Sequence, residues 1–345
     1  MILLMIFLPM HNTTIRTSLS NQFNNLHSAI YVDQNFNFNR RTKITTGLRV
    51  SADVGSDYQY YVLEPRLSLS YDISNKMQLL ASYARTGQSV FQAGGGIIGL
   101  YDEYWFQVSK EIGPQISNLL SLGVKKEFES IQWRSSLYYK HLSGMVDAQI
   151  GIVPSLNINH LDLLAAINKE MTGYAYGFEN SMLFDLKRFS SNLAYTYARS
   201  RRNHPEIFDG NTFNATFDRP HVLNCNSTYQ LSKKWSATSN FILQSGIRYS
   251  NPAGYILDLN GFSTPIYEAR NNKSFPSYHR LDIGLQKEWT SKKGNQKKLN
   301  LSLINAYNRK NLSLIYASNR DGVVIQNQVT LIPILGSIAY SISWE

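Results

Sequence analysis

Long stretches of this chain alternate apolar and polar residues with a period of two, and that rhythm narrows the possible folds more than any other feature. In residues 41–52, Thr42, Ile44, Thr46, Leu48, Val50 and Ala52 share one face. Arg41, Lys43, Thr45, Gly47, Arg49 and Ser51 share the other. Residues 280–289 set Leu281, Ile283, Leu285 and Trp289 against Arg280, Asp282, Gly284, Gln286 and Glu288. Near the carboxyl end, Ile338, Tyr340, Ile342 and Trp344 oppose Ser337, Ala339, Ser341 and Ser343. A helix would space its apolar residues by three and four, and these segments do not. Comparable segments fall near 27–38, 62–73, 76–87, 116–127, 130–142, 172–185, 188–200, 217–231, 234–247 and 297–309. The pattern predicts about 13 strands, or about 14 if residues 13–23 add one. Most exceed the roughly 5–6 residues of a soluble strand and match the roughly 9–11 that a tilted strand needs to cross a bilayer.

The connections alternate as well. Short ones fall near 39, 74, 128, 187, 233 and 293, and long ones over 53–61, 88–115, 143–171, 201–216, 248–276 and 310–335. A membrane barrel keeps this order, with short periplasmic turns and long outer loops. The last strand then runs inward. Closure follows from the solvent, because hydrocarbon leaves no partner for an unpaired strand edge. Tyr71, Tyr83, Trp133, Trp235, Trp289 and Trp344 lie near strand ends, where half-wet rings suit the membrane interfaces. A soluble β core would not explain a polar alternate face on so many long strands.

Composition agrees. Charged residues make up 17%, against roughly 25% in ordinary soluble domains. No apolar run reaches the roughly 18 residues that mark a transmembrane helix candidate. The single cysteine, Cys225, excludes an intrachain disulfide and reads as a small buried or lipid-facing residue. The net charge of +10 raises the question of nucleic acid. The densest basic run, Lys292, Lys293, Lys297 and Lys298, however sits between two strands as a solvated turn, and no nucleic-acid partner is expected. The opening MILLMIFLPM lacks the basic region of a signal peptide and reads as the start of a fragment.

From about residue 27 onward the chain resembles the barrel of TonB-dependent receptors, in the form common in Bacteroidetes-like bacteria. The resemblance rests on Leu63-Glu64-Pro65-Arg66, Gly113-Pro114-Gln115 before Leu122-Gly123, Tyr138-Tyr139-Lys140, Tyr176-Gly177-Phe178-Glu179 and Tyr195-Thr196-Tyr197. It continues through Asp218-Arg219-Pro220-His221, Arg270-Asn271, Tyr278-His279-Arg280-Leu281-Asp282 and Tyr307-Asn308-Arg309-Lys310-Asn311. It implies an all-β transmembrane antiparallel barrel, here about 13–14 of the 22 strands expected for the family, with the plug domain and TonB box absent. Residues 1–26 are then an unassigned start with room for one strand, and 27–345 the carboxyl-terminal part of the barrel. The family's terminal aromatic is here Trp344, followed by an extra Glu345. The implied location is the bacterial outer membrane. The implied partners are its lipid and lipopolysaccharide, the barrel assembly machinery, and the TonB system only if the amino-terminal region is supplied.

No catalytic constellation rises above background. A nucleophile elbow, a His-Glu-x-x-His zinc site, a phosphate loop and paired cysteines are all missing, so neither an enzyme nor a metal or cofactor site is expected. The run Gly94-Gly95-Gly96 lacks the Lys and Ser/Thr of a P-loop and reads as a flexible loop. His221 and His279 suit local hydrogen bonding at the outer strand ends. Asp218 with Arg219, and Arg280 with Asp282, are candidates for ion pairs inside the lumen, and His221 belongs to the same lumenal, structural motif. Ligand specificity is expected in the long loops, since loops on a rigid scaffold carry binding. The candidates are Phe91, Tyr101, Tyr104 and Trp105, then Arg201, Arg202, His204 and Phe208, then Tyr249, Tyr255, Tyr267 and Arg270. The expected function is TonB-coupled uptake of a nutrient such as a siderophore, vitamin, glycan or peptide. The alternatives are a stand-alone 14-stranded passive pore, a non-functional receptor fragment, or a surface adhesin.

Overall fold

The computed structural model describes residues 3–5, 25–94, 103–148, 167–257, 263–267, 269–292, 294–320 and 323–343. Fourteen strands follow one another in chain order, each antiparallel to the next. They are β1 (Leu3–Met5), β2 (Leu26–Asn37), β3 (Thr42–Val54), β4 (Gln59–Ser74), β5 (Met77–Gln88), β6 (Gln115–Glu127) and β7 (Ile131–Ala148). Then come β8 (Ile167–Leu186), β9 (Phe189–Asn203), β10 (His221–Gln230), β11 (Trp235–Gln244), β12 (Tyr278–Thr290), β13 (Gln296–Ile304) and β14 (Leu335–Ser343). A two-residue strand, Phe213–Asn214, adds to the sheet beside β9. This is a continuous barrel wall. Among the described residues no plug-like domain fills it, and β1 and β14 do not pair with each other.

β2 to β14 match the thirteen segments read from periodicity, with bounds shifted by a few residues. The candidate strand at 13–23 lies outside the described residues. The strand that instead precedes β2 is β1, which pairs Leu3–Met5 with Ala29–Tyr31. Short turns at 38–41, 75–76, 128–130, 187–188, 231–234 and 291–295 all close one rim. At the other rim the connections are 55–58, 89–114, 149–166, 204–220, 245–277 and 305–334. The first of these corrects the expectation of a long loop over 53–61. Pairing continues to Val54↔Gln59, and the Gly55 N–H closes a tight turn on the Tyr58 carbonyl at 3.0 Å. A Cβ at Gly55 would meet the Tyr58 ring, which would have to move aside.

Register converts the alternation into two faces. One row runs straight across six strands as Thr46, Leu67, Tyr83, Leu120, Tyr139 and Tyr176. The next parallel row is Ile44, Leu69, Ala81, Leu122, Leu137, Phe178 and Tyr197. These side chains face outward: Leu120 is 51% exposed, Leu137 57% and Ile338 78%. Cys225 lies on this face between Leu193 and Phe241. The opposite face is polar, with Thr45, Ser68, Ser82, Ser121 and Tyr138 in one row.

Ion pairs lie on that inner face. Arg66 pairs with Asp33, Lys125 with Glu127 at 2.6 Å, and Lys298 with Glu288 at 3.2 Å. A soluble sandwich would bury the apolar rows between sheets at the cost of no exposed patch. Here they remain on the surface as a band, which a lipid environment satisfies.

The buried hydrophobic residues are instead gathered toward the long-loop rim. Phe91, Val108, Ile112, Val146 and Ile167 form one cluster, with Tyr58 and Tyr60 against it. Met145, Met171 and Phe213 form a second, with Leu142 and Ile207. These two small cores hold the bases of the outer loops to the wall.

Candidate functional site

The long-loop rim carries several short ladders beyond the wall. Val90–Gly94 pairs with Glu103–Gln107, Gly254–Leu257 with Ser263–Ile266, and Asn311–Arg320 with Val323–Leu331. Arg248–Tyr249 pairs with Lys273–Ser274. Buried polar side chains anchor these loops, each with its hydrogen-bonding capacity used as burial demands. Asp53, fully buried, meets the His27 Nδ1 at 2.8 Å and accepts from the Ser89 hydroxyl. Asn305, also fully buried, donates to the Arg309 and Ile332 carbonyls at 3.0 and 2.9 Å. Its own carbonyl oxygen accepts from the Arg309 N–H at 2.9 Å. Asn271 donates to the Asn214 carbonyl at 2.7 Å. Asn271 and Asn305 both have positive φ, 52° and 53°, a conformation asparagine tolerates better than most residues. In the turn at 109–112, the Ser109 hydroxyl and a backbone N–H hold the Glu111 carboxyl below its ordinary range.

Asp218 is the most heavily paired of these anchors. Its carboxylate lies 3.5 Å from Arg199 and 3.3 Å from Arg248, and accepts the Ser200 N–H at 2.8 Å. The expected pair with Arg219 does not form. Arg199 and Arg248 take up the Asp218 carboxylate, and Arg219 reaches Gln244 on β11 instead. Arg280 and Asp282 do meet on the inner face, at 2.9 Å. His221 contacts the Tyr195 hydroxyl at 2.9 Å, and His279 the Tyr307 hydroxyl at 2.7 Å. Register sets both histidines on the outward face, below the loops, so His221 does not line the lumen: it shares the face of Tyr197 and Cys225.

At the mouth, Arg270 pairs with Asp147 at 2.8 Å and lies over the Phe213 ring at 5.6 Å. Both charges act on Arg202, whose Nη1 is buried without a hydrogen-bond partner. Gly173 leaves the space this guanidinium occupies, since a Cβ there would meet Nη1 at 3.1 Å. Arg202 belongs to the inner face of β9 by register, so two guanidiniums and one carboxylate sit where the wall opens outward. Among the described residues that cluster sets two positive charges against one negative and can hold an anion.

The other loop candidates divide. Trp105 is 67% exposed, whereas Phe91 is 1% exposed and serves packing rather than the surface. Tyr249 packs on Phe275 at 5.1 Å. His204 accepts the Glu206 N–H at 3.2 Å in a local turn. Arg201 is half-buried, with its backbone in register with Asn214, and Tyr267 is half-buried too. Tyr104 and Tyr255 lie on loop strands and Phe208 in a short 3-10 turn. Tyr101 falls outside the described residues. Asp147, Arg199 and Arg248 did not stand out in the sequence, because their partners are distant in the chain. The one local signal was a charge, Asp147, following the apolar pair Met145-Val146.

Gly246 offers a check on the loop base. A Cβ there would collide with the Phe275 backbone, which cannot yield as a side chain tip can. Gly246→Ala is expected to destabilise the 245–277 loop by about 1–3 kcal/mol. Faster tryptic cleavage at Lys273 in intact cells would register it, and an unchanged rate would contradict the geometry.

Wall, outward apolar band and loop-bearing rim together define the wall of a membrane-spanning antiparallel β-barrel. The sequence matches the family model described as TonB dependent receptor-like, beta-barrel, over residues 8–308. The chain belongs to that family. No curated protein matches it significantly. Among solved structures, the ferric-catecholate import receptor Fiu of K12 E. coli aligns with a TM-score of 0.62 at 12% identity, covering 92% of this chain and 44% of Fiu. The ferripyoverdine receptor of Pseudomonas aeruginosa aligns with a TM-score of 0.59 at 12% identity, covering 92% and 38%. The siderophore receptor PirA of Acinetobacter baumannii gives 0.59 at 13% identity, covering 87% and 44%. The chain thus spans less than half the length of these structures, and at such identities the likeness concerns the fold.

Proposed function

We propose that this chain forms the carboxyl-terminal wall and outer loops of a receptor for TonB-coupled uptake, and that its cargo is an anionic nutrient chelate. The observation that carries the reading is the net-positive cluster of Arg202, Arg270 and Asp147 at the mouth of a wall that matches this receptor family. A buried guanidinium with a spare donor favours a carboxylate, catecholate or similar oxygen anion. The ferric catecholate in the name of one solved neighbour has that chemistry, and another is named a siderophore receptor, which makes an iron-loaded siderophore the first cargo to try. Trp105 and Tyr249 supply ring faces for such a ligand. Energy coupling requires a plug and TonB box, which the receptor carrying these residues would supply.

The test is radiolabelled iron uptake in a strain lacking its own siderophore receptors. The receptor carrying these residues behind a plug restores uptake. The polypeptide of residues 1–345 by itself does not. Arg202→Gln in that receptor weakens chelate binding by about tenfold or more, the worth of one charged hydrogen bond. Uptake restored by residues 1–345 alone, or binding indifferent to Arg202, would overturn the proposal. The passive-pore alternative requires β1 and β14 to close on each other, a pairing not found among the described residues. A steady single-channel conductance from the refolded chain would favour it.

A further inference from the structure

At the short-turn rim, the outward face of β11 to β14 carries a cluster that uptake does not use. Register places Trp235 opposite Lys287 and Trp289 opposite Lys297. β14 adds Tyr340 opposite Leu299, and Ile342 opposite Lys297. The Lys287 ammonium sits 5.1 Å from the centre of the Trp235 ring and 5.3 Å from that of Trp289. Trp289 in turn lies 6.1 Å from Tyr340. Among the described residues, no carboxylate lies within ion-pair distance of Lys287 or Lys297. The inner-face lysines differ: Lys298 pairs with Glu288, and Lys125 with Glu127. The motif recurs at β6–β7, where Lys126 lies over the Phe128 ring at 4.9 Å, opposite Trp133.

A lysine on the lipid face costs about 2–4 kcal/mol at the bilayer midplane and roughly 0–1 kcal/mol near an interface. Two unpaired lysines beside tryptophans therefore place this rim at headgroup depth, where indole and tyrosine rings are also favoured. Ring faces hold the Lys287 ammonium in place but do not neutralise it. What remains uncompensated there is positive charge, and the groups present at that depth are lipid phosphates. A zwitterionic headgroup brings its own ammonium, whereas an anionic one brings a net negative charge.

We propose that Lys287 and Lys297, framed by Trp235, Trp289 and Tyr340, bind the phosphate of an anionic glycerophospholipid in the periplasm-facing leaflet. This rests on the outer-membrane orientation, with short turns inward. The lipid would fasten the last four strands at the interface and fix the depth of that rim.

The two tryptophans supply the readout. In the full chain, Trp105, Trp133 and Trp344 are changed to phenylalanine. The protein is inserted into phosphatidylethanolamine vesicles containing a minority of phosphatidylglycerol, with the brominated chains on one lipid or the other. Quenching per mole of brominated lipid is expected to be about fivefold or more stronger for phosphatidylglycerol, the enrichment that one interfacial lysine supplies. Lys287→Gln with Lys297→Gln removes that preference, while Lys298→Gln on the inner face leaves it intact. Heat-modifiable gel mobility confirms that each variant is folded. Equal quenching by both lipids, or a preference that survives the double substitution, overturns the site but not the membrane assignment. Absence of quenching by either lipid overturns both.

Discussion

Replacing Asp218 by alanine is expected to destabilise the folded chain by about 3–5 kcal/mol, the usual consequence of deleting one member of a buried charge cluster. The Asp218 side chain is inaccessible to solvent, while Arg199 and Arg248 are only 19% and 17% exposed. Without the carboxylate, two guanidiniums face each other with little water between them, and the Ser200 N–H loses its acceptor. Three elements meet at this point: the end of β9, the 204–220 connection and the base of the 245–277 loop. Their docking should therefore fail together. Asp218→Asn keeps an acceptor for Ser200 but removes the charge, so it should fall between alanine and the parent. Urea titrations followed by heat-modifiable mobility would rank the three. An alanine variant as stable as the parent would show that water already solvates the arginines.

The second large effect separates neighbouring residues. Leu137→Arg is expected to cost about 2–4 kcal/mol, because a lipid-facing arginine near the bilayer midplane has no counter-charge. Leu137 is 57% exposed and sits in an outward row between Leu122 and Phe178. Ser136→Arg, one residue earlier, points into the lumen. Its hydroxyl already reaches Glu179 at 3.3 Å, so an arginine there finds both water and a carboxylate. The expected cost is near zero. Refolding into vesicles at graded urea would measure both. If the two substitutions cost the same, the outward band is not in contact with hydrocarbon.

The wall was legible because a strand's side chains alternate by covalent geometry alone, so each apolar row could be read without knowing its neighbours. β2 to β14 are the thirteen segments that the period of two marks. The tight turn at Gly55 escaped because Asp53 and Gly55 look like loop residues. Only the pairing of Val54 with Gln59 makes them the end of a strand. The mouth was less legible still. Phe91 looks like a ligand-contact aromatic in a loop, yet it is buried with Val146 and Ile167, far along the chain.

The ion pairs show the same limit. Arg280 and Asp282 share a face two residues apart, and periodicity alone puts them side by side. Asp218 and Arg219 are adjacent in the chain, which in extended backbone sends them to opposite sides. The true partners, Arg199 and Arg248, arrive from strands and loops that only the folded register brings near. Membrane strands, their hand of alternation and the short and long rims were thus written locally, in every second residue. Which charges meet at the mouth, and which lysines stay unpaired on the lipid face, depended on neighbours across the sheet. Long-range pairing energies act between residues that no local pattern connects.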